Sequence, residues 1–199
     1  QIRSALDALA EREPAFGTAI ARVGYPEPRI RPPGYSTLLR TIVGQQVSVA
    51  AANSVWTRLE ENLGPACDPK ILLRQSDDAL RACGLSRQKQ GYARSLSELV
   101  VSEHLVLAKL PKDDEEAIAY LTQVKGIGRW SAEIYLLFAE GRRDIWPAGD
   151  LAVQKSVGDI LGLAERPSEK ELRALAEPWS PHRGSVALLA WHYYNTPAL

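Results

Sequence analysis

The chain has two cysteines, no methionine, no long apolar run and no excess of either charge, and each shortage removes a class of protein. Cys67 and Cys83 form no CxxC pair and stand beside no histidine at ligand spacing, which excludes an all-cysteine zinc or iron–sulfur site. Two free thiols in a reducing compartment are expected. No stretch approaches the roughly 18 consecutive apolar residues of a membrane helix, and the opening QIRSALDALAERE lacks the basic-then-apolar layout of a secretory signal. An intracellular protein with no membrane partner is the expectation. Since the sequence starts at Gln1 and holds no methionine, the native start is expected to lie outside it. Lys and Arg total 24, as do Asp and Glu, so there is no general basic footprint and any affinity for a polyanion must be local. One segment qualifies, RACGLSRQKQGYAR, with Arg81, Arg87, Lys89 and Arg94 and no acid among them. It reads equally as a solvated helix face and as a phosphate contact.

What is present is helical periodicity. Leu38, Leu39, Ile42 and Val43 form one face at 3.6 residues per turn, and Val186, Leu189, Ala190 and Tyr193 form another. No stretch alternates well enough for a strand. PPGYSTLL opens a helix near Ser36, SDDALRACG runs from Ser76 to Gly84, and PSEKELRALAEP runs from Ser168 to a stop at Pro178. About ten helices joined by short turns are expected, enough for one core or two small lobes in 199 residues. The strongest break is EGRRDIWPAGD, where a long helix is expected to end at Gly141 and Pro147 to redirect the chain.

Two features carry chemistry. In VKGIGRWSAEIYLLF, Gly126 and Gly128 bracket Ile127, and both glycines permit a positive φ and close approach of another backbone. A helix is expected from about Arg129, so its first N–H groups and positive dipole end lie beside the glycines, with Lys125 and Arg129 adding charge. This suits a phosphate oxygen, although a GxG at a helix start is also an ordinary tight turn. Asp150, in PAGDLAVQKSVG, stands at the start of the next helix. Taken alone it reads as an N-cap worth about 1 kcal/mol.

The hairpin VKGIGRW followed twenty residues after Trp130 by Asp150 resembles the signature of the helix-hairpin-helix DNA glycosylases. IVGQQVSVAAA resembles the minor-groove segment, and WSPHRGSVALLAWHYY the closing helix, of the DNA-3-methyladenine glycosylase II branch. These motifs span about Pro33 to Tyr194 in the family's order. The resemblance implies Asp150 as the catalytic carboxylate, Trp130 and Trp191 as aromatic walls of a base pocket, and Gln46 as the wedge that fills the space of an extruded nucleotide; His192, next to Trp191, is placed to edge that pocket. It implies that the backbone at Val124, Ile127 and Gly128 meets phosphate, with a monovalent cation on the carbonyls of Val124 and Ile127, and the turn's own glycine and charge pattern adds Gly126, Lys125 and Arg129 to the expected phosphate contacts. Ser86 falls on a loop that reaches toward the complementary strand. Arg183, with His182, reads equally as a phosphate contact and as turn bonding. His192 also reads as a structural histidine, and Trp56, Trp146 and Trp179 as packing.

The fold so implied is all-α, with two helical lobes either side of a DNA-binding cleft: residues 33–143, carrying the hairpin, and residues 1–32 with 144–199, with Asp150 at the boundary. The activity implied is monofunctional hydrolysis of alkylated purines from double-stranded DNA by base flipping, in a monomer that needs no organic cofactor or catalytic metal. The location expected is the cytoplasm at the bacterial nucleoid, or the nucleus of a eukaryote. Relatives that cleave the strand resemble one another in a lysine directly after the hairpin, where this chain has Trp130. Ile134, Leu151 and His192 replace tyrosines of some relatives, so cationic lesions such as 3-methyladenine and 7-methylguanine are expected ahead of neutral ones. The larger bacterial members carry an N-terminal β-containing domain for which this sequence has no room.

Overall fold

The computed structural model describes residues 1–196, which form twelve α-helices and two short 3-10 turns and, among the described residues, no strand. In chain order the helices are α1 Ile2–Ala10, α2 Pro14–Val23, α3 Tyr35–Gly44, α4 Val49–Leu63, α5 Pro69–Arg74, α6 Asp77–Ala82, α7 Arg87–Val101, α8 Asp114–Leu121, α9 Arg129–Phe138, α10 Leu151–Leu161, α11 Glu169–Leu175 and α12 Arg183–Asn195. Of the two six-residue helices, α6 is the one read from SDDALRACG, whereas α5 has no counterpart among the expected elements. A helix that short completes no full apolar stripe, so periodicity alone does not announce it. The long helix expected to reach Gly141 ends at Phe138, and the segment expected to stop at Pro178 splits into α11 and a 3-10 turn, Glu177–Trp179, that takes the proline at its start.

The chain divides into two compact units, Arg31–Tyr135 and Gln1–Ile30 with the chain from Leu136 onward. The second division falls inside α9, ahead of the Glu140–Asp150 break marked by composition.

In the Arg31–Tyr135 unit, α3 packs against α4 and α7, and α7 against α5 and α6. Leu38, Leu39, Ile42, Leu59, Leu72, Leu80 and Leu96 are buried in its core. Serines cap three of its helices: Ser48, Ser76 and Ser86 accept the backbone N–H of Ala51, Ala79 and Lys89. Both thiols lie buried here, and burial pushes Cys67 up to about 11 and raises Cys83, so both stay protonated near neutrality.

The other unit is organised round α12, which packs on α10, α1 and α2. Every residue from Gly184 to Trp191 is buried, the signature of a helix enclosed on all sides. Gly184 is required by proximity: a Cβ there would lie 2.6 Å from the Arg143 carbonyl and 2.7 Å from Leu137. Trp179 stacks edge-on against Phe16 and Trp146, and the Trp146 indole donates to the Leu172 carbonyl at 3.2 Å, so both tryptophans pack as expected.

Candidate nucleic-acid interface and base pocket

The hairpin joins α8 to α9. Ile127 N–H donates to the Val124 carbonyl at 3.0 Å, and Val124 and Ile127 are buried, so their side chains root the turn in the Arg31–Tyr135 unit. The two glycines have different reasons to be glycine. Gly126 has φ +85°, and its missing Cβ is replaced by the Tyr92 ring. Gly128, expected to share the positive φ, does not adopt it, and a Cβ there would meet no protein atom within 4 Å. The backbone at Gly128 is bare on its outer side, which admits close approach of another backbone.

Three contacts from distant sequence brace the hairpin. Lys125 N–H donates to Ser95 Oγ at 3.1 Å, the Tyr92 ring lies beneath Gly126, and Gln45 Nε2 donates to the Gly126 carbonyl at 2.7 Å. None of these three was apparent in the sequence, although Tyr92 and Ser95 share a face of α7 at i, i+3 spacing.

Arg129 requires correction as a phosphate ligand. Its Nε donates to Glu133 at 2.9 Å, and its two terminal nitrogens form a fork with Glu115. The Glu133 side chain is only 2% exposed. The Glu115 hydrogen bond, ahead of the attraction of both carboxylates, raises the Arg129 pKa despite its partial burial. The guanidinium therefore ties α9 to α8 instead of facing phosphate. Lys125 is exposed, with its side chain available. Lys125→Ala should reduce the slope of log affinity against log salt by about 0.9, whereas Arg129→Ala should leave the slope unchanged, within a total no steeper than about −6. Titration at four salt concentrations checks this, and an equal change in both variants would contradict the assignment.

The same unit holds a concavity of about 860 Å³ lined by Trp130, Ser131, Ile134, Gln45, Gln46 and Trp56 among others. Trp130 is 46% exposed, whereas the other four tryptophans are 4–8% exposed, so packing does not account for its position. Gln46 is exposed on the α3–α4 turn with a left-handed φ of +54°, and Val47 and Val49 beside it are 45% and 79% exposed. Trp56 is core, as expected, with Arg40 4.7 Å from its ring centroid.

The basic segment on α7 resolves mostly into internal bonds. Arg94 reaches the Gln75 carbonyl and Asp77, both at 2.8 Å, and Lys89 Nζ donates to the Val43 carbonyl at 2.7 Å, with burial lowering its pKa. Arg81 pairs with Asp78 at 3.4 Å, and Ser86 is the α7 cap. These side chains describe a structural face more than a phosphate track.

In the other unit, Asp150 is half-buried at the N-terminus of α10, and its Oδ1 accepts the N–H of Ala152 at 2.9 Å and of Val153 at 3.0 Å. The N-cap reading is thus a fact of the structure, and capping keeps the carboxylate in the field of the helix N-terminus, where negative charge is favoured. Leu151, next to it, is 63% exposed.

Trp191 is buried against Phe138, centroids 5.6 Å apart, with the Arg29 guanidinium 6.0 Å from its ring. An openly exposed wall is not what the structure presents at this position. His192 Nε2 lies 2.7 Å from the Val23 carbonyl, which can only accept, so the ring donates and fastens α12 to the end of α2.

Arg183 takes the second of its two readings, bonding at the turn. Its Nε and Nη2 grip the two oxygens of Asp144 at 2.9 and 2.7 Å, and its backbone N–H adds a third bond at 3.2 Å. Burial alone would raise the Asp144 carboxyl, but Arg183 and Ser180 outweigh it and hold the pKa below the ordinary value. A depressed folded pKa stabilises fully above the unfolded value of about 4 and is lost as pH falls through the lower folded value. The stability gap between wild type and Asp144→Asn should accordingly narrow below about pH 4. Thermal melts from pH 6 to 2 check it, and a gap independent of pH would contradict it.

The chain is similar to known DNA repair proteins. Residues 39–181 match the family described as HhH-GPD superfamily base excision DNA repair protein. The DNA-3-methyladenine glycosylase 1 of Schizosaccharomyces pombe is 32% identical over 170 residues, 83% of this chain and 73% of that protein. The crystal structure of a DNA-3-methyladenine glycosidase from Bacillus halodurans superposes with a TM-score of 0.88 at 30% identity, covering 96% of this chain and 89% of that one. A Schizosaccharomyces pombe 3-methyladenine DNA glycosylase in complex with abasic DNA superposes at 0.79 with 27% identity, covering 96% and 95%.

Proposed function

Because the chain belongs to the HhH-GPD superfamily of base excision DNA repair proteins, we propose that it is a monofunctional DNA glycosylase that removes alkylated purines from duplex DNA and leaves an abasic site. The observation that carries this reading is the exposed indole of Trp130, standing in one concavity with the exposed Gln46 turn. An exposed indole beside that turn offers a face on which an extruded base can stack. The similarity to 3-methyladenine glycosylases supports the substrate class.

The energetics suit cationic lesions. Extruding a nucleotide costs a few kcal/mol, less for a damaged base. Stacking on an aromatic face returns about 1–3 kcal/mol, and a cationic base over a desolvated indole gains about 2 more. On these magnitudes 3-methyladenine and 7-methylguanine are stabilised at Trp130, while an undamaged purine is not. Gln46, with Val47 and Val49, occupies the vacated space from the minor groove. The bare backbone at Gly128 and the Lys125 side chain meet phosphate. A monovalent cation on the Val124 and Ile127 carbonyls fits their chemistry, since a carbonyl oxygen has two lone pairs and Val124 keeps one after accepting the Ile127 N–H.

An alkylated purine is already a cationic leaving group, so no general acid is needed. Positive charge develops on the sugar as the bond to C1′ breaks, and the ionised Asp150 stabilises it or orients the attacking water. Trp130 stands where a Schiff-base lysine would be required, so covalent amine catalysis with strand cleavage is not proposed. Chromatography of the supernatant from dimethyl-sulfate-treated duplex tests the reading. Release of free 3-methyladenine and 7-methylguanine supports it, and retention of every purine in the DNA overturns it.

A further inference from the structure

We infer that Gln45 is a positioning residue that fixes the Gln46 wedge to the hairpin, so that backbone anchoring and filling of the vacated space share one register. The inference rests on the glycosylase reading and lies wholly within the Arg31–Tyr135 unit. Gln45 is tied at two points: its backbone N–H donates to the Ile42 carbonyl at 3.2 Å, closing α3, and its side chain donates to the Gly126 carbonyl at 2.7 Å, 81 residues away. The hairpin end of that bond is held independently by Tyr92 beneath Gly126 and by Ser95 on the Lys125 N–H. Gln45 therefore joins a short surface turn to a fixed point.

The next residue shows what the tether is for. Gln46 is exposed and left-handed at φ +54°, a conformation that a residue with a Cβ adopts only when its surroundings over-determine it. With Gln45 fixed on one side and the Ser48 cap of α4 on the other, the turn has little freedom to relax. Consecutive glutamines thus divide the work, the half-buried Gln45 facing the hairpin and Gln46 facing outward.

The test uses the full chain and four variants: Gln45→Met and Gln45→Glu, which keep the side-chain length but remove the donor near neutral pH, Gln46→Ala, and the double variant Gln45→Met with Gln46→Ala. Single-turnover base release from methylated duplex and affinity for undamaged duplex are read together, with a thermal melt of each. Both Gln45 variants should release base about ten-fold more slowly or worse at saturating enzyme, with affinity for undamaged duplex within about three-fold of wild type. The double variant should be no slower than Gln46→Ala within about two-fold, since a tether has no value once the wedge is gone. Gln45→Glu should recover relative to Gln45→Met below about pH 5, where the protonated acid again donates. Wild-type rates in the Gln45 variants, or losses that multiply in the double variant, would overturn the inference. Should Gln45→Met fail to fold, the pH recovery of Gln45→Glu decides alone. A wild type that releases no base would instead overturn the glycosylase reading itself, and this inference with it.

Discussion

Asp150→Asn is expected to fold as the wild type does and to release alkylated purines at least about 100-fold more slowly. The two halves of this expectation have one structural origin. Oδ1 of Asp150 caps α10 through Ala152 and Val153, and an asparagine oxygen caps a helix about as well as an aspartate oxygen, so stability should move by about 0.5 kcal/mol or less. What asparagine lacks is the negative charge that an oxocarbenium-like sugar requires. Loss of a preorganised electrostatic group costs about 2.7–4 kcal/mol in the transition state. Affinity for abasic duplex should survive, because the phosphate contacts are assigned to the hairpin. Single-turnover release, a thermal melt and a binding isotherm separate the three quantities. An unchanged rate would reduce Asp150 to its cap.

Gly126→Ala is expected to destabilise the protein by roughly 2–5 kcal/mol and to abolish specific DNA binding. A non-glycine residue at φ +85° costs about 1–2 kcal/mol. The added Cβ would lie 2.6 Å from Cε2 of Tyr92 and closer still to two other ring atoms, and forced overpacking adds about 1–3 kcal/mol. Tyr92 is restrained by Gln88, which donates to its hydroxyl at 2.6 Å, so the ring does not simply swing aside. Gly128→Ala makes the contrasting control. Its Cβ faces open space, so stability should change by less than about 1 kcal/mol, and any loss should appear in DNA binding alone. Urea melts of both variants check the contrast. A mild Gly126→Ala would mean that the hairpin is not held as described.

The contrast between the two glycines illustrates what the sequence conveys and what it withholds. GxG before an apolar helix marks the turn, because glycine at a helix start is a local signal. Which glycine is strained and which is bare depends on Tyr92, more than thirty residues earlier. The caps at Ser76 and Ser168 were legible for the same local reason, and so was Asp150 as a cap. Arg129 reads in sequence as a phosphate ligand, and Arg183 stays open between phosphate contact and turn bonding, because a cation beside a candidate site looks available until its acid appears. Glu115 and Asp144 lie 14 and 39 residues away in sequence, and only the packing of helices brings each carboxylate to its guanidinium. Trp191 followed the same course, since a tryptophan on a closing helix shows no sign in sequence of the Phe138 contact that buries it. Gln45 went unremarked beside Gln46 because its partner is the Gly126 carbonyl, and sequence carries no mark of a backbone acceptor's location.

The central claim is hydrolysis of the glycosidic bond without attack by an enzyme amine. A duplex end-labelled on the strand bearing a single 7-methylguanine tests it most directly, incubated with excess protein and divided before electrophoresis, half treated with an endonuclease specific for abasic sites. The account predicts free 7-methylguanine in solution, an intact labelled strand in the untreated half and a strand cut at the lesion in the endonuclease-treated half. A cut strand in the untreated half, or a lesion still attached to the DNA after prolonged incubation, would contradict it.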